Sequence, residues 1–71
     1  MSPGYRKMQE GIEMARKLIA ARRLLRPVDK YVTITRAMHA AMEEHRAAGK
    51  EHGLTYSDDG KIWLGDFELR K

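Results

Sequence analysis

Residues 31–52, YVTITRAMHAAMEEHRAAGKEH, form the internal segment on which the fold of this chain depends. Its first residues, 31–34, are β-favoured at every position and suit a strand, but a short helical turn begun by Asp29 fits them equally well. Thr33 or Thr35 then caps a helix predicted over 35–51. The apolar face of this helix is formed by Ile34, Met38, Ala41, Met42 and His45.

A long helix is predicted before this segment. Ser2 is typical of an N-cap and Pro3 of a first helical position, whereas Pro27 disfavours helix at the residue before it. The helix is therefore expected over 4–25. Its predicted apolar stripe consists of Tyr5, Met8, Ile12, Ala15, Leu18, Ile19 and Leu25.

A β-hairpin is predicted after residue 53, with strands over 54–57 and 61–69. The sequence SDDG at 57–60 fits a type I turn with Gly60 in the left-handed position of a bulge. The apolar parity shifts after Gly65 and Asp66. Either a bulge lies there, or Trp63, Phe67 and Leu69 form a separate stripe on the second face of the strand.

These elements predict one small α+β domain over 1–71. A chain of this length buries only about 60% of the surface that its unfolded form exposes, so a partner or a homodimer contact would stabilise it. The absence of cysteine excludes disulfides and thiolate metal sites. No apolar run is long enough for a membrane span and no signal peptide is visible, which favours a cytoplasmic protein.

The charge of the chain is divided unevenly. Residues 1–36 contain nine Lys or Arg against three Asp or Glu, whereas residues 37–71 contain five against seven. A basic half joined to a mildly acidic half favours a directed electrostatic field, or attraction between the halves within one chain or across a dimer.

No pattern in the sequence indicates catalysis. His45 and His52 are seven residues apart, about 10 Å along a helix, too far to share one ion within that helix. Asp58 and Asp59 suit a turn, and no glycine-rich phosphate loop is present. We therefore expect neither an enzyme nor a bound metal or cofactor, with metal binding conceivable only across a dimer.

The favoured hypothesis is nucleic-acid binding, with DNA as the preferred partner. If 29–32 is helical, residues 29–48 form a helix-turn-helix and 54–69 its wing, as in a miniature winged helix. Helix 35–48 would then lie in the major groove with its start, Arg36, His39 and Ala40, facing the bases, although Glu43 and Glu44 oppose this. The candidate contacts are Arg16, Lys17, Arg22, Arg23, Arg26, Lys30, Arg36 and Lys61.

The alternative hypothesis is a small regulator or inhibitor, of the type found in phages and bacteria, that docks on a larger host protein or enzyme. Five methionines and several aromatic residues are generous for so small a core, and such side chains are common at protein interfaces. The candidate docking residues are Met14, Trp63 and Phe67. This hypothesis predicts an open apolar patch around them, whereas nucleic-acid binding predicts one continuous basic surface.

Overall fold

A computed structural model describes residues 2–25 and 30–71. Its helices are α1 (Pro3–Leu25), α2 (Arg36–Glu44) and α3 (Arg46–Glu51). Its strands are β1 (Tyr31–Thr33), β2 (Leu54–Tyr56), β3 (Ile62–Leu64) and β4 (Phe67–Arg70). The predicted α+β class is confirmed, although the sheet is larger than the predicted hairpin.

The four strands form one mixed sheet in the order β1-β4-β3-β2. β1 runs parallel to β4, whereas β3 is antiparallel to both of its neighbours. Segment 31–33 is therefore a strand, which decides the question that its composition left open. A helix-turn-helix beginning at 29–32 is incompatible with this strand, so the miniature winged-helix arrangement is wrong.

The core lies between the helices and one face of the sheet. Apolar side chains from α1, α2 and all four strands are buried there: Met8, Ile12, Ala15, Ile19, Val32, Ile34, Ala41, Met42, Leu54, Ile62, Leu64 and Leu69. Because side chains alternate along a strand, Tyr31, Trp63 and Glu68 point to the opposite face. No helix among the described residues covers that face.

Helix α1 confirms the predicted start and end of the first helix. Its cap is Ser2, whose Oγ accepts a hydrogen bond from the amide of Tyr5 at 3.2 Å. The predicted stripe is wrong at its C-terminal end, because the buried series 8, 12, 15, 19 continues to the half-buried Arg22. Leu18 and Leu25 consequently lie beside the stripe and are exposed.

The second predicted helix, 35–51, is divided into α2 and α3. Thr35 caps α2, since its Oγ1 accepts from the amide of Met38 at 3.2 Å. The break falls at His45, where ψ is 39°. The change of direction brings Gly49 against Leu54 of β2, where a Cβ atom on the glycine would lie 2.7 Å from Leu54 Cδ1.

Two turns with glycine in a left-handed conformation shape the hairpins. The predicted turn at 57–60 is confirmed: the Gly60 amide donates to the Ser57 carbonyl at 3.1 Å, and Gly60 has a φ of 85°. The single strand predicted over 61–69 is wrong. Gly65, with a φ of 62°, and Asp66 instead form a two-residue loop that folds β4 back onto β3.

Within residues 2–25 and 30–71, no helix has both the length and the hydrophobicity needed to cross a bilayer.

Candidate functional site

The face of the sheet opposite the helices carries a continuous row of side chains, which we call the open-face row: Thr55, Trp63, Glu68 and Tyr31. Thr55 pairs with Trp63, Trp63 with Glu68, and Glu68 with Tyr31. Directly paired residues point to the same side of a sheet, so the four side chains are neighbours. The two aromatic residues are separated by one strand, a spacing of roughly 10 Å.

Tyr31 is the most exposed aromatic residue of this row, with 43% of its surface accessible. Arg70 Cζ lies 4.8 Å from the centroid of its ring, and Arg22 Cζ lies 5.8 Å away. Both distances fall within the range of cation–π attraction. The edge of the sheet therefore presents an aromatic ring bordered by two permanent positive charges.

Glu68 occupies the centre of the row between Tyr31 and Trp63. Its side chain is only 13% exposed, and its Oε2 lies 3.4 Å from Nη2 of Arg70. The negative charge of this partly covered carboxylate is offset by the positive charge of the neighbouring guanidinium. Glu68 and Arg70 together therefore add little net charge. The remaining charge of this region is set by the lysines around the row.

A cleft of 430 Å³ continues from the row toward the end of β4 and is also lined by His39 and Glu43 of α2. It brings together Lys61, Arg70 and Lys71 beside Glu43 and Glu68. Lys61 also lies 3.8 Å from Asp59 in the preceding turn. There the hydroxyl of Ser57 donates to Asp59 and holds the pKa of that carboxyl below its ordinary value.

A groove of 670 Å³ lies on a different surface, between the C-terminal half of α1 and the glycine turns of the sheet. Arg16 and Arg23 are on its rim, and Leu24 is one of its walls. Nη2 of Arg16 donates to the main-chain carbonyl of His52 at 2.6 Å, while Arg23 Cζ lies 5.3 Å from the ring of Phe67.

The predicted basic residues do not form one surface. Arg22 borders the open-face row, Lys30 precedes β1, and Lys61 lies in the cleft, whereas Arg16 and Arg23 line the groove on α1. Lys17 and Arg36 are exposed, with no ion pair among the described residues. Arg26 lies outside the described residues.

The three predicted docking residues also separate. Met14 and Phe67 are half-buried and pack against the core, whereas Trp63 is half-buried on the opposite face of the sheet. The large apolar side chains that are open to solvent among the described residues are Leu18, Leu24, Leu25 and Tyr31. Exposed apolar side chains are therefore present near the end of α1, but they are not the three predicted residues.

His39 and His45 are packed into the fold rather than presented to solvent. His39, expected to face bases, is only 9% exposed, and His45 lies at the edge of the core with its ring 5.8 Å from that of Tyr5. Among the described residues, no cluster of three or more His, Cys, Asp or Glu side chains is suited to hold a metal ion.

Sequence reasoning missed Tyr31, Glu68, Arg70, Lys71 and Leu24 on these surfaces. Alternation within 31–33 and 67–70 is the signal that could have found the first three, because it separates Tyr31, Glu68 and Arg70 from the buried Val32 and Leu69. The parallel pairing of β1 with β4, which no local pattern announces, then brings them together.

The fold and these surfaces define a small α+β protein with a mixed sheet that is covered by helices on one face. Comparisons with protein-family models, with curated proteins and with solved structures gave no match. Function is therefore inferred from the residues of this chain alone.

Proposed function

We propose that this protein binds single-stranded nucleic acid on the open face of its sheet. The observation that carries the proposal is the pairing of Tyr31 and Trp63 with the same residue, Glu68, which places two aromatic side chains in one row on a face without a helix among the described residues. Bases stack on exposed aromatic rings at about 1–3 kcal/mol each, whatever their identity. Tyr31 is exposed and Trp63 is half-buried, so the row offers one open ring and one partly covered ring to unpaired bases.

The charge around the row supports the same proposal. Lys61, Arg70 and Lys71 share the cleft at one end of the row, and Lys30 directly precedes Tyr31. A strand whose bases stack on the row would pass its phosphates along Lys30, Lys61 and Lys71, since the charge of Arg70 is offset by Glu68. Such contacts supply affinity by releasing condensed counterions.

Glu68 gives the centre of the row a specific chemistry. A carboxylate repels phosphate but accepts hydrogen bonds from amino groups on base edges, such as the N4 amino group of cytosine. Its position between the two aromatic residues suits contact with a base rather than with the backbone. Its interaction with Arg70 moderates the repulsion that an isolated carboxylate would impose on the strand.

Single strands fit this chain better than a duplex. The helix-turn-helix that would enter a major groove is replaced at 31–33 by a strand. Helix α2 begins with Arg36 but continues to Glu43 and Glu44, which would oppose phosphate. Flat sheet faces with aromatic residues, by contrast, are a common platform for unpaired bases.

The test is a fluorescence-anisotropy titration with labelled oligothymidylate of about 20 nucleotides, compared with a duplex of equal length. Three phosphate contacts on a single strand predict that affinity falls about 20-fold between about 50 and about 200 mM salt. Lys61→Gln should reduce the slope of log affinity against log salt by about 0.7, whereas Lys7→Gln, on the N-terminal half of α1, should leave it unchanged. Tighter binding to the duplex, or affinity that does not respond to salt, would overturn the proposal.

A further inference from the structure

We infer that the groove beside α1 is a docking site for an acidic amphipathic helix of another protein. We refer to it as the α1 groove, lined by Arg16, Ile19, Ala20, Arg23, Leu24, His52, Gly53, Leu64 and Gly65. It lies apart from the open-face row, so this inference stands independently of nucleic-acid binding.

The apolar part of the α1 groove explains why a protein helix suits it. Its floor includes Ile19 and Leu64, which are buried members of the core, and its wall is Leu24, which is 86% exposed. When an apolar side chain of a partner covers this leucine and the apolar floor beside it, the apolar surface removed from water favours binding. A volume of 670 Å³ accommodates several such side chains from one face of a helix.

The side of the α1 groove opposite the helix includes two glycines, which have no side chains to project into it. Gly53 and Gly65 both have a positive φ, at turns that connect strands to the rest of the fold. A Cβ atom built on Gly65 would have no neighbour within 4 Å. The backbone of an incoming helix can therefore approach the groove closely on this side.

The charges on the rim specify the chemistry of the partner. Arg16 and Arg23 are seven residues apart on α1, about two helical turns or 10 Å. No carboxylate is among the described residues that line the groove. Arg16 is held by the carbonyl of His52, which uses one Nη2 donor and leaves the others for a partner. Two carboxylates at i and i+7 on a partner helix match this spacing.

A second copy of this chain fits the α1 groove less well. In a two-fold dimer the same patch meets itself, so Arg16 and Arg23 of one protomer would approach the same cations of its partner. The net charge of +4 on each chain adds to this repulsion. An acidic partner removes the repulsion and supplies the apolar face.

The experiment uses a fluorescein-labelled peptide of about 18 residues, with leucines at helical spacing and glutamates at i and i+7 around them. A matched peptide carries lysine in place of each glutamate. Leu24→Ser and Arg23→Gln should each weaken binding of the acidic peptide about tenfold. Leu25→Ser is the matched control, because Leu25 is 82% exposed on the same turn but does not line the groove.

The expected result is binding of the acidic peptide alone, sensitive to Leu24→Ser and insensitive to Leu25→Ser. Three results would overturn the inference: equal binding of the lysine peptide, no response to Leu24→Ser, or self-association in sedimentation that Leu24→Ser removes. Both leucines are solvent-exposed, so the variants are expected to fold, and circular dichroism melting curves check this.

Discussion

Arg70 and Tyr31 are brought together by the parallel pairing of the last strand with the first, with Arg70 Cζ 4.8 Å from the centroid of the Tyr31 ring. The two residues are 39 positions apart in the chain, and their contact lies at the edge of the sheet where β1 has no further neighbour. The proposed binding surface depends on this contact, because it unites an aromatic ring with a fixed cation.

Replacing Tyr31 with alanine should weaken binding to oligothymidylate about tenfold, because one stacked base loses its platform. Tyr31→Phe keeps the ring and should bind within about twofold of the unchanged protein. Anisotropy titrations at one salt concentration measure both. Equal losses for the two variants would show that the ring itself is not the contact.

The first helix and the hairpin turn could be predicted because their signals are local. Ser2 and Pro3 indicate the start of α1, and Gly60 after two aspartates indicates the turn between β2 and β3. Each pattern depends on neighbouring residues only. Both elements lie where the sequence predicts them.

The rest of the sheet could not be predicted, because it depends on contacts between distant residues. The pairing of Thr33 with Arg70 spans just over half the chain, and no periodicity encodes it. The loop at Gly65 and Asp66 resembles a bulge until β4 is known to return along β3. The candidate site shares this limit, since all of the open-face row depends on strand order.

Gly11→Ala should destabilise the protein by about 1 kcal/mol, although alanine favours helix by a similar amount. A Cβ atom there would lie 2.7 Å from Cε of Met42 and 3.0 Å from Cβ of Met38, both on α2. Met42 Cε is the end of a flexible side chain and can move aside, whereas Met38 Cβ can move only together with the backbone of α2. Urea unfolding measures the change, and a variant more stable than the original protein would contradict this packing.

Tyr56→Phe should cost about 1 kcal/mol near neutral pH, because the hydroxyl of Tyr56 donates to the carbonyl of Met42 at 2.8 Å. Burial raises the pKa of Tyr56 above its ordinary value of about 10. The stability that accompanies this shift is therefore present below pH 10 and is lost as pH rises through the folded-state pKa.

The difference in unfolding free energy between Tyr56→Phe and the unchanged protein should consequently shrink as pH rises above about 10. Tyr5→Phe serves as the control, since the hydroxyl of Tyr5 has no hydrogen bond among the described residues. A difference that stays constant with pH would contradict the assignment of Tyr56.

The fluorescence of Trp63 tests the central proposal most directly, because it is the only tryptophan in the chain and lies in the open-face row. Titration with unlabelled oligothymidylate at about 50 mM salt should quench its emission to saturation, and about 500 mM salt should restore it. If the anisotropy titration with labelled oligonucleotide shows binding but the emission of Trp63 does not change, the contact lies elsewhere on the protein. No binding and no quenching would contradict the proposed function itself.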